Sequence, residues 1–290
     1  MREEIEMMLE DRWLRETYVD LLEEYAQKDD RLVIVEADLM KAAGTTRFGE
    51  KYPEKTVNVG IAEANMIGTA AGLAAMGKIP FTHTFTPFST RRVCDQVTLS
   101  VAYAGLNVKI MGSDPGVTAE LNGGTHMSME DVAVMRNIPG MTIVEPTDSA
   151  QLRKAFPQIM YHDGPVYIRL LRRNAVKIFD ENCDFQLGKG IVMREGGDVT
   201  IIASGIMTAE ALEAADELEK EGIYAEVLNI HTVKPLDTEL VLKSAAKTGA
   251  VVTAENHSIL NGLGGAVAEV LGENLPTIMK RIGVRDHSEK

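Results

Sequence analysis

Short β-branched runs alternate with helical segments along nearly the whole of this 290-residue chain, and that alternation restricts its fold more than any other feature. RLVIVEAD (31–38), NVKIMG (107–112), MTIVEP (141–146) and VYIRLL (166–171) read as strands. WLRETYVDLLEEYAQ (13–27), NVGIAEANMIGTAAGLAAMG (58–77), STRRVCDQVTLSVAYAG (89–105) and DSAQLRKAFPQIMYH (148–162) read as helices. Such alternation predicts a parallel sheet with helices on both faces. A polar stretch with little periodicity, KIFDENCDFQLGKG (177–190), reads as a linker. The pattern then restarts with strands at 198–204, 224–230 and 250–256 and helices at 208–222, 236–249 and 264–275. The expected fold is α/β: two consecutive domains, 1–176 and 193–290, each a mostly parallel sheet with helices on both faces, joined by a linker at 177–192.

In open parallel sheets, ligands bind beyond the carboxyl ends of the strands. Asp38, just past RLVIVEA, and residues 112–126, after NVKIMG, are placed there by position alone, although turn residues commonly occupy such places. The formal net charge of -13 repels phosphate backbones, which argues against a general nucleic-acid role. Cys94 and Cys183 are far apart and match no metal spacing, so they read as reduced thiols of a cytoplasmic protein. The acidic, amphipathic start MREEIEMMLEDRW has no signal-peptide layout, and no apolar run is long enough to span a bilayer.

One helix poses a chemical question. In NVGIAEANMIGTAAGLAAMG a single carboxylate, Glu63, sits among Ala, Gly, Ile and Met. A helical glutamate is usually solvated, but here a polar face is almost missing. Apolar surroundings desolvate an acid and favour its neutral form. Phe85 and Phe88, in THTFTPF (82–88), read as loop aromatics after a strand; such rings pack in cores or stack on flat heterocycles.

These segments carry a resemblance. VNVGIAEANMIG (57–68), THTFTPF, NGGTHMSMEDVAVMRNIPGMTIVEPTDS (122–149) and VYIRLLRRN (166–174) resemble the pyrimidine-binding domain of thiamine-diphosphate enzymes of the transketolase family. ASGIMTAEALEAADEL and TAENHSILNGLGGAVAEVL (253–271) resemble that family's C-terminal domain, so the match covers nearly the whole chain in order. The family's Gly-Asp-Gly, which holds the diphosphate through Mg2+, does not occur here, and NGLGG (261–265) is no substitute. The resemblance therefore implies the C-terminal half of a split transketolase. A separate N-terminal subunit would carry the diphosphate and Mg2+, with a two-plus-two heterotetramer as the expected assembly and no metal ligand on this chain.

The resemblance also implies roles. Glu63 would press on the ring nitrogen of the cofactor's aminopyrimidine, whose imino tautomer takes the thiazolium proton. Phe88 would stack on that ring, Phe85 would line the pocket, and Asp38 would lie on the thiazolium side. His126 and Arg172 would bind the substrate phosphate, a task suited to a guanidinium fork. Arg169 and Arg173 share the other face of the strand by alternation; either is a candidate auxiliary, and Arg173 reads more simply as solvent-exposed.

The departures from the pattern concern the sugar. Gly112 stands where the family has a strand-end His, Ala42 where it has a Ser, and Arg91 where it has an aromatic. Asn122 replaces an Asp within a longer segment, GVTAELNGG (116–124). Glu120 and Asn122 are candidates to replace the lost sugar contacts, and Arg91 to add a cation. The segment RIGVRDHSEK (281–290) ends sooner than the family pattern, so a final helix or strand is expected to be lacking. The implied activity is transfer of a two-carbon ketol unit from a ketose phosphate to an aldose phosphate, as in pentose phosphate metabolism, with ordinary, branched and sulfonated sugars all open. A beta-type subunit of a 2-oxoacid dehydrogenase, a deoxyxylulose-phosphate-synthase-like enzyme and a non-catalytic partner remain as alternatives.

Overall fold

Residues 8–286 are described by a computed structural model, except for the side chains of Glu120 and Leu121. Of the amphipathic N-terminal stretch, residues 1–7 lie outside the described residues; its remainder forms strand β1 (Leu9–Trp13).

The first sheet is built from β2 (Leu32–Glu36), β3 (Thr56–Asn58), β4 (Ile79–Phe85), β5 (Lys109–Ser113), β6 (Thr142–Val144) and β7 (Val166–Leu170). These six strands are parallel. β2, β4 and β7 are buried at every position, as expected of strands covered on both faces. Successive residues point to opposite faces. Ile34, Phe81 and Ile168 meet Tyr18 and Leu22 of the helix Leu14–Lys28 and Phe156 of the helix Ser149–Tyr161. Val35 and Ile110 meet Met66, Ile67 and Ala70 of the helix Glu63–Ala75. The ring of Phe81 stacks on Phe156 with centroids 5.4 Å apart. β8 (Asn174–Val176) pairs antiparallel with β1, tying the start of the domain to its end.

The second sheet runs β14-β13-β10-β11-β9. β9 (Ile191–Arg194) is an antiparallel edge, while β10 (Val199–Ala203), β11 (Ala225–Asn229), β13 (Ala250–Ser258) and β14 (Ile278–Val284) are parallel. The helix Met207–Lys220 covers one face through Ala211, Leu212 and Ala215. The helices Thr238–Thr248 and Leu263–Asn274 cover the other. Of the segment 281–290, residues 281–284 belong to the edge strand β14, and residues 287–290 lie outside the described residues.

Two features were not anticipated. Thr232–Lys234 (β12) leaves the second half of the chain and pairs antiparallel with β6, giving the first sheet the order β12-β6-β7-β5-β4-β2-β3. One apolar cluster consequently runs from Met66 and Ile143 through Val233 to Ile202 and Val267. The stretch 89–105 is also not one helix: a short helix Thr86–Ser89 ends where it begins, a 3-10 turn Arg91–Val93 follows, and the helical turn Cys94–Gln96 runs on into a π-helix Val97–Tyr103.

Candidate active site

The winding of the first sheet reverses at β2, whose neighbours are β3 on one side and β4 on the other. The segments that follow β2 and β4 therefore diverge and leave a crevice at the strand ends. A buried polar chain lies under it. Thr45 donates to Glu36 (2.6 Å), His83 Nδ1 lies 3.0 Å from Glu36 Oε1, and Tyr18 Oη is 2.9 Å from His83 Nε2.

Glu63 is the first residue of its helix and is 5% exposed. Its surroundings correct the apolar expectation, because Arg92 Nη1 lies 2.6 Å from Glu63 Oε1. The same guanidinium sits 3.8 Å from the centroid of Phe88. Arg92 had no local signal in the sequence: its partner is in another element, and the helix expected at 89–105 gave no reason to single it out.

The aromatics are not loop residues. Phe85 ends β4 and is buried; Phe88 lies in the short helix Thr86–Ser89 and is half-buried. Their rings meet edge-to-face at 6.2 Å, and the His126 ring stands 5.3 Å from each. Thr125 Oγ1 is 2.9 Å from His126 Nδ1. The guanidinium of Arg172 reaches the far side of this cluster, 5.6 Å from the Phe85 centroid. Contacts are thus continuous from Glu63 through Arg92, Phe88, Phe85 and His126 to Arg172.

Arg172 also lines a cleft of about 720 Å³, together with Trp13, Arg15, Asp38, Leu39, Lys41, Ala42, Arg173 and Asn174. Asp38 adopts φ 61, and its N–H donates to Asn58 Oδ1 (3.1 Å), which also accepts from Gly60. Arg15 was missed in the sequence because it sits on an otherwise ordinary amphipathic helix. It stacks 4.3 Å over Trp13 and donates to the Ala42 carbonyl. Burial, and then repulsion from Arg172, lowers the Arg15 guanidinium below its ordinary value. Two cations held against each other favour an anionic occupant. Arg173, expected to be solvent-exposed, is half-buried and lines the cleft.

Asp114 stands behind Arg172. It is fully buried, has φ 54, and its Oδ2 lies 2.9 Å from Arg172 Nε in an ion pair not aligned as a hydrogen bond. Burial pushes its carboxyl up, against the pull of Arg172, Arg173 and Arg15. Gly112, in β5, has no room for a side chain: a Cβ there would lie 2.7 Å from Tyr167 Oη and 3.2 Å from Thr86 Cα.

The remaining expectations fall elsewhere. Arg169 is no substrate auxiliary. It is 1% exposed and binds Asp131 (2.8 Å), Glu145 (2.5 Å) and the Asn256 carbonyl (2.5 Å), joining the two halves of the chain. Arg91 is exposed and pairs with Glu130 at 2.6 Å. Asn122 ends a 3-10 turn, Gly116–Asn122, with its Nδ2 buried and unbonded. The side chain of Glu120 lies outside the described residues. Among the described residues there is no group of three or more His, Cys, Asp or Glu poised to hold a metal ion, and no helix is long and apolar enough to cross a membrane.

The family model described as "Transketolase, pyrimidine binding domain" matches residues 12–177, and "Transketolase, C-terminal domain" matches residues 188–289. The chain belongs to the transketolase family, as a subunit that carries these two domains. It is 71% identical over 286 residues to the 6-deoxy-6-sulfo-D-fructose transketolase subunit SqwH of Clostridium sp. (strain MSTE9), covering 99% of this chain and 89% of that one. It is 38% identical to an apulose-4-phosphate transketolase subunit of Phocaeicola vulgatus, covering 94% of this chain and 88% of that one. A solved structure described as "Split gene transketolase, inactive beta4 tetramer" matches with a TM-score of 0.89 at 45% identity, covering 96% of this chain and 91% of that chain.

Proposed function

We propose that this chain is one subunit of a thiamine-diphosphate-dependent transketolase that takes a two-carbon ketol unit from a sulfonated ketose and passes it to an aldose phosphate. The carrying observation is the Arg92 guanidinium. A flat, cationic, nitrogen-bearing group is met at its edge by Glu63 and on its face by Phe88. An aminopyrimidine needs the same two contacts, so the residues present fit the cofactor's ring.

Thiamine diphosphate, when bound, supplies the carbanion chemistry that cleaves and re-forms a carbon–carbon bond beside a ketone. Glu63 would meet the nitrogen edge of the cofactor's ring, where a carboxyl can exchange a proton, and Phe88 would offer the stacking face. Phe85 and His126 wall the site, and their edge-to-face packing narrows the access of water. Asp38 sits at the mouth, and Arg15, Lys41 and Arg172 hold the anionic end of the sugar. The name of the 71%-identical relative supports a sulfonate there. A beta-only tetramer described as inactive supports a requirement for a second subunit, which would bring the diphosphate and Mg2+ ligands.

Calorimetric titration of thiamine diphosphate and Mg2+ into the chain, alone and mixed with the N-terminal subunit, tests this reading. Binding is expected in the mixture only. Glu63→Gln keeps the shape of the side chain and is expected to lower ketol transfer by about 10²–10⁴-fold. Tight binding by the chain alone, or unimpaired Glu63→Gln turnover, would overturn the reading.

A further inference from the structure

The cleft that gathers cations for an anionic group also has a buried carboxylate built behind one of them. Arg15 is steadied by a backbone carbonyl, which adds no charge. Arg172 is steadied by Asp114, a carboxylate 2.9 Å away that is sealed from solvent. Burying a carboxylate is unfavourable, and the misaligned contact with Arg172, together with the charges of Arg173 and Arg15, recovers only part of that loss. The backbone at Asp114 is nonetheless held in place. Its φ is 54, and its N–H donates to the Leu170 carbonyl at 3.1 Å. The next turn is pinned from the second domain by Asn256, which accepts from Val117 N–H (3.0 Å) and donates to the Pro115 carbonyl (2.9 Å).

We propose that Asp114 determines the charge of the group the cleft accepts, favouring a sugar sulfonate over a sugar phosphate. The inference rests on the ketol-transfer reading above. Coulomb repulsion is proportional to the charge of the ligand. A sulfonate stays a monoanion at neutral pH, whereas a phosphate monoester carries about -1.5 to -2. Arg15, Lys41, Arg172 and Arg173 attract the dianion more strongly in the same proportion, so the carboxylate behind Arg172 acts by offsetting part of that advantage, and its removal favours the phosphate more than the sulfonate. Placing a like charge against the wrong ligand is a recognised source of specificity. Ala42 fits the same bias, since it presents a methyl group to the cleft where a hydroxyl would offer a further donor.

The test uses the complete two-subunit enzyme with thiamine diphosphate and Mg2+. The specificity constants for 6-deoxy-6-sulfofructose and fructose 6-phosphate are compared between wild type and Asp114→Asn, which keeps shape and removes charge. Wild type is expected to prefer the sulfonate. Asp114→Asn is expected to shift the ratio towards the phosphate by on the order of tenfold, mainly through KM. Should that variant fail to fold, Asp114→Ser carries the same comparison. Preference of the wild type for the phosphate, or turnover with an unchanged ratio in the variant, overturns the inference alone. A wild-type complex that turns over neither ketose overturns the ketol-transfer reading and this inference with it.

Discussion

Arg92 remains about half exposed along its side chain, yet its guanidinium is engaged on two sides by Glu63 and Phe88. The ion pair is open to solvent on its arginine side only, and the cation–π contact contributes only about 0.5–1 kcal/mol, so a planar competitor that meets both Glu63 and Phe88 displaces the guanidinium. On the proposed reading it holds the place of the pyrimidine. Arg92→Ala is then expected to tighten thiamine diphosphate binding by the two-subunit complex about fivefold, measured by calorimetry. Weaker binding would show that Arg92 helps to hold the cofactor instead. Glu63 was legible in the sequence because an acid among small apolar residues stands out. Arg92, Arg15 and Asp114 were not. Each draws its character from a partner distant in sequence, and none breaks the local pattern of its own segment.

Among the elements, the strands with long β-branched runs were the easiest to read. β2 and β7 lie within the expected stretches because β-branched and aromatic residues dominate them, Val-Ile-Val in β2 and Val-Tyr-Ile in β7. The stretch 89–105 misled because its composition suits a helix; the break at Thr90, with φ -121 and ψ -87, is a backbone feature that no residue type announces. The short strand β12 has only three residues and no periodicity to detect. One cap binds two elements at once. Asp148, fully buried, accepts from Gln151 N–H at the start of its helix and from Ile178 and Phe179 N–H in the connecting segment. Asp148→Ala removes the cap and leaves two further donors unmet. A loss of about 2–4 kcal/mol is expected, seen as a lower urea midpoint with an unchanged slope. A loss below about 0.5 kcal/mol, within the range of an ordinary surface change, would count against this role.

At the scale of the molecule, the two halves meet through buried charge and buried histidines, among them His231. His231 packs against Phe185 with centroids 4.1 Å apart, and burial lowers its pKa to about 4 despite the pull of Asp237. Between that value and the ordinary 6.5, the unfolded chain binds a proton that the native chain refuses. Stability is therefore unaffected by this group above pH 6.5 and falls as pH drops through the window, by about 3 kcal/mol in all. His231→Gln is expected to flatten that part of the stability profile, compared by urea unfolding at several pH values. A profile parallel to wild type would assign the acid sensitivity to other groups, the carboxylates and His162 among them. The two-domain α/β plan was visible in the sequence because periodicity is local. The seam was not, because Arg169, Asp131, Glu145 and Asn256 come together only once both sheets exist.

The strand exchanged across that seam has a consequence for the order in which the chain takes shape. β6 is present once residue 144 has been made, but its outer edge waits for Thr232–Lys234. During synthesis the first sheet therefore stays open along one side until most of the second sheet's early strands have left the ribosome. An unpaired edge invites pairing with other chains. Any attempt to produce the first domain separately, cut within the connecting segment, would release a sheet whose last strand was never translated.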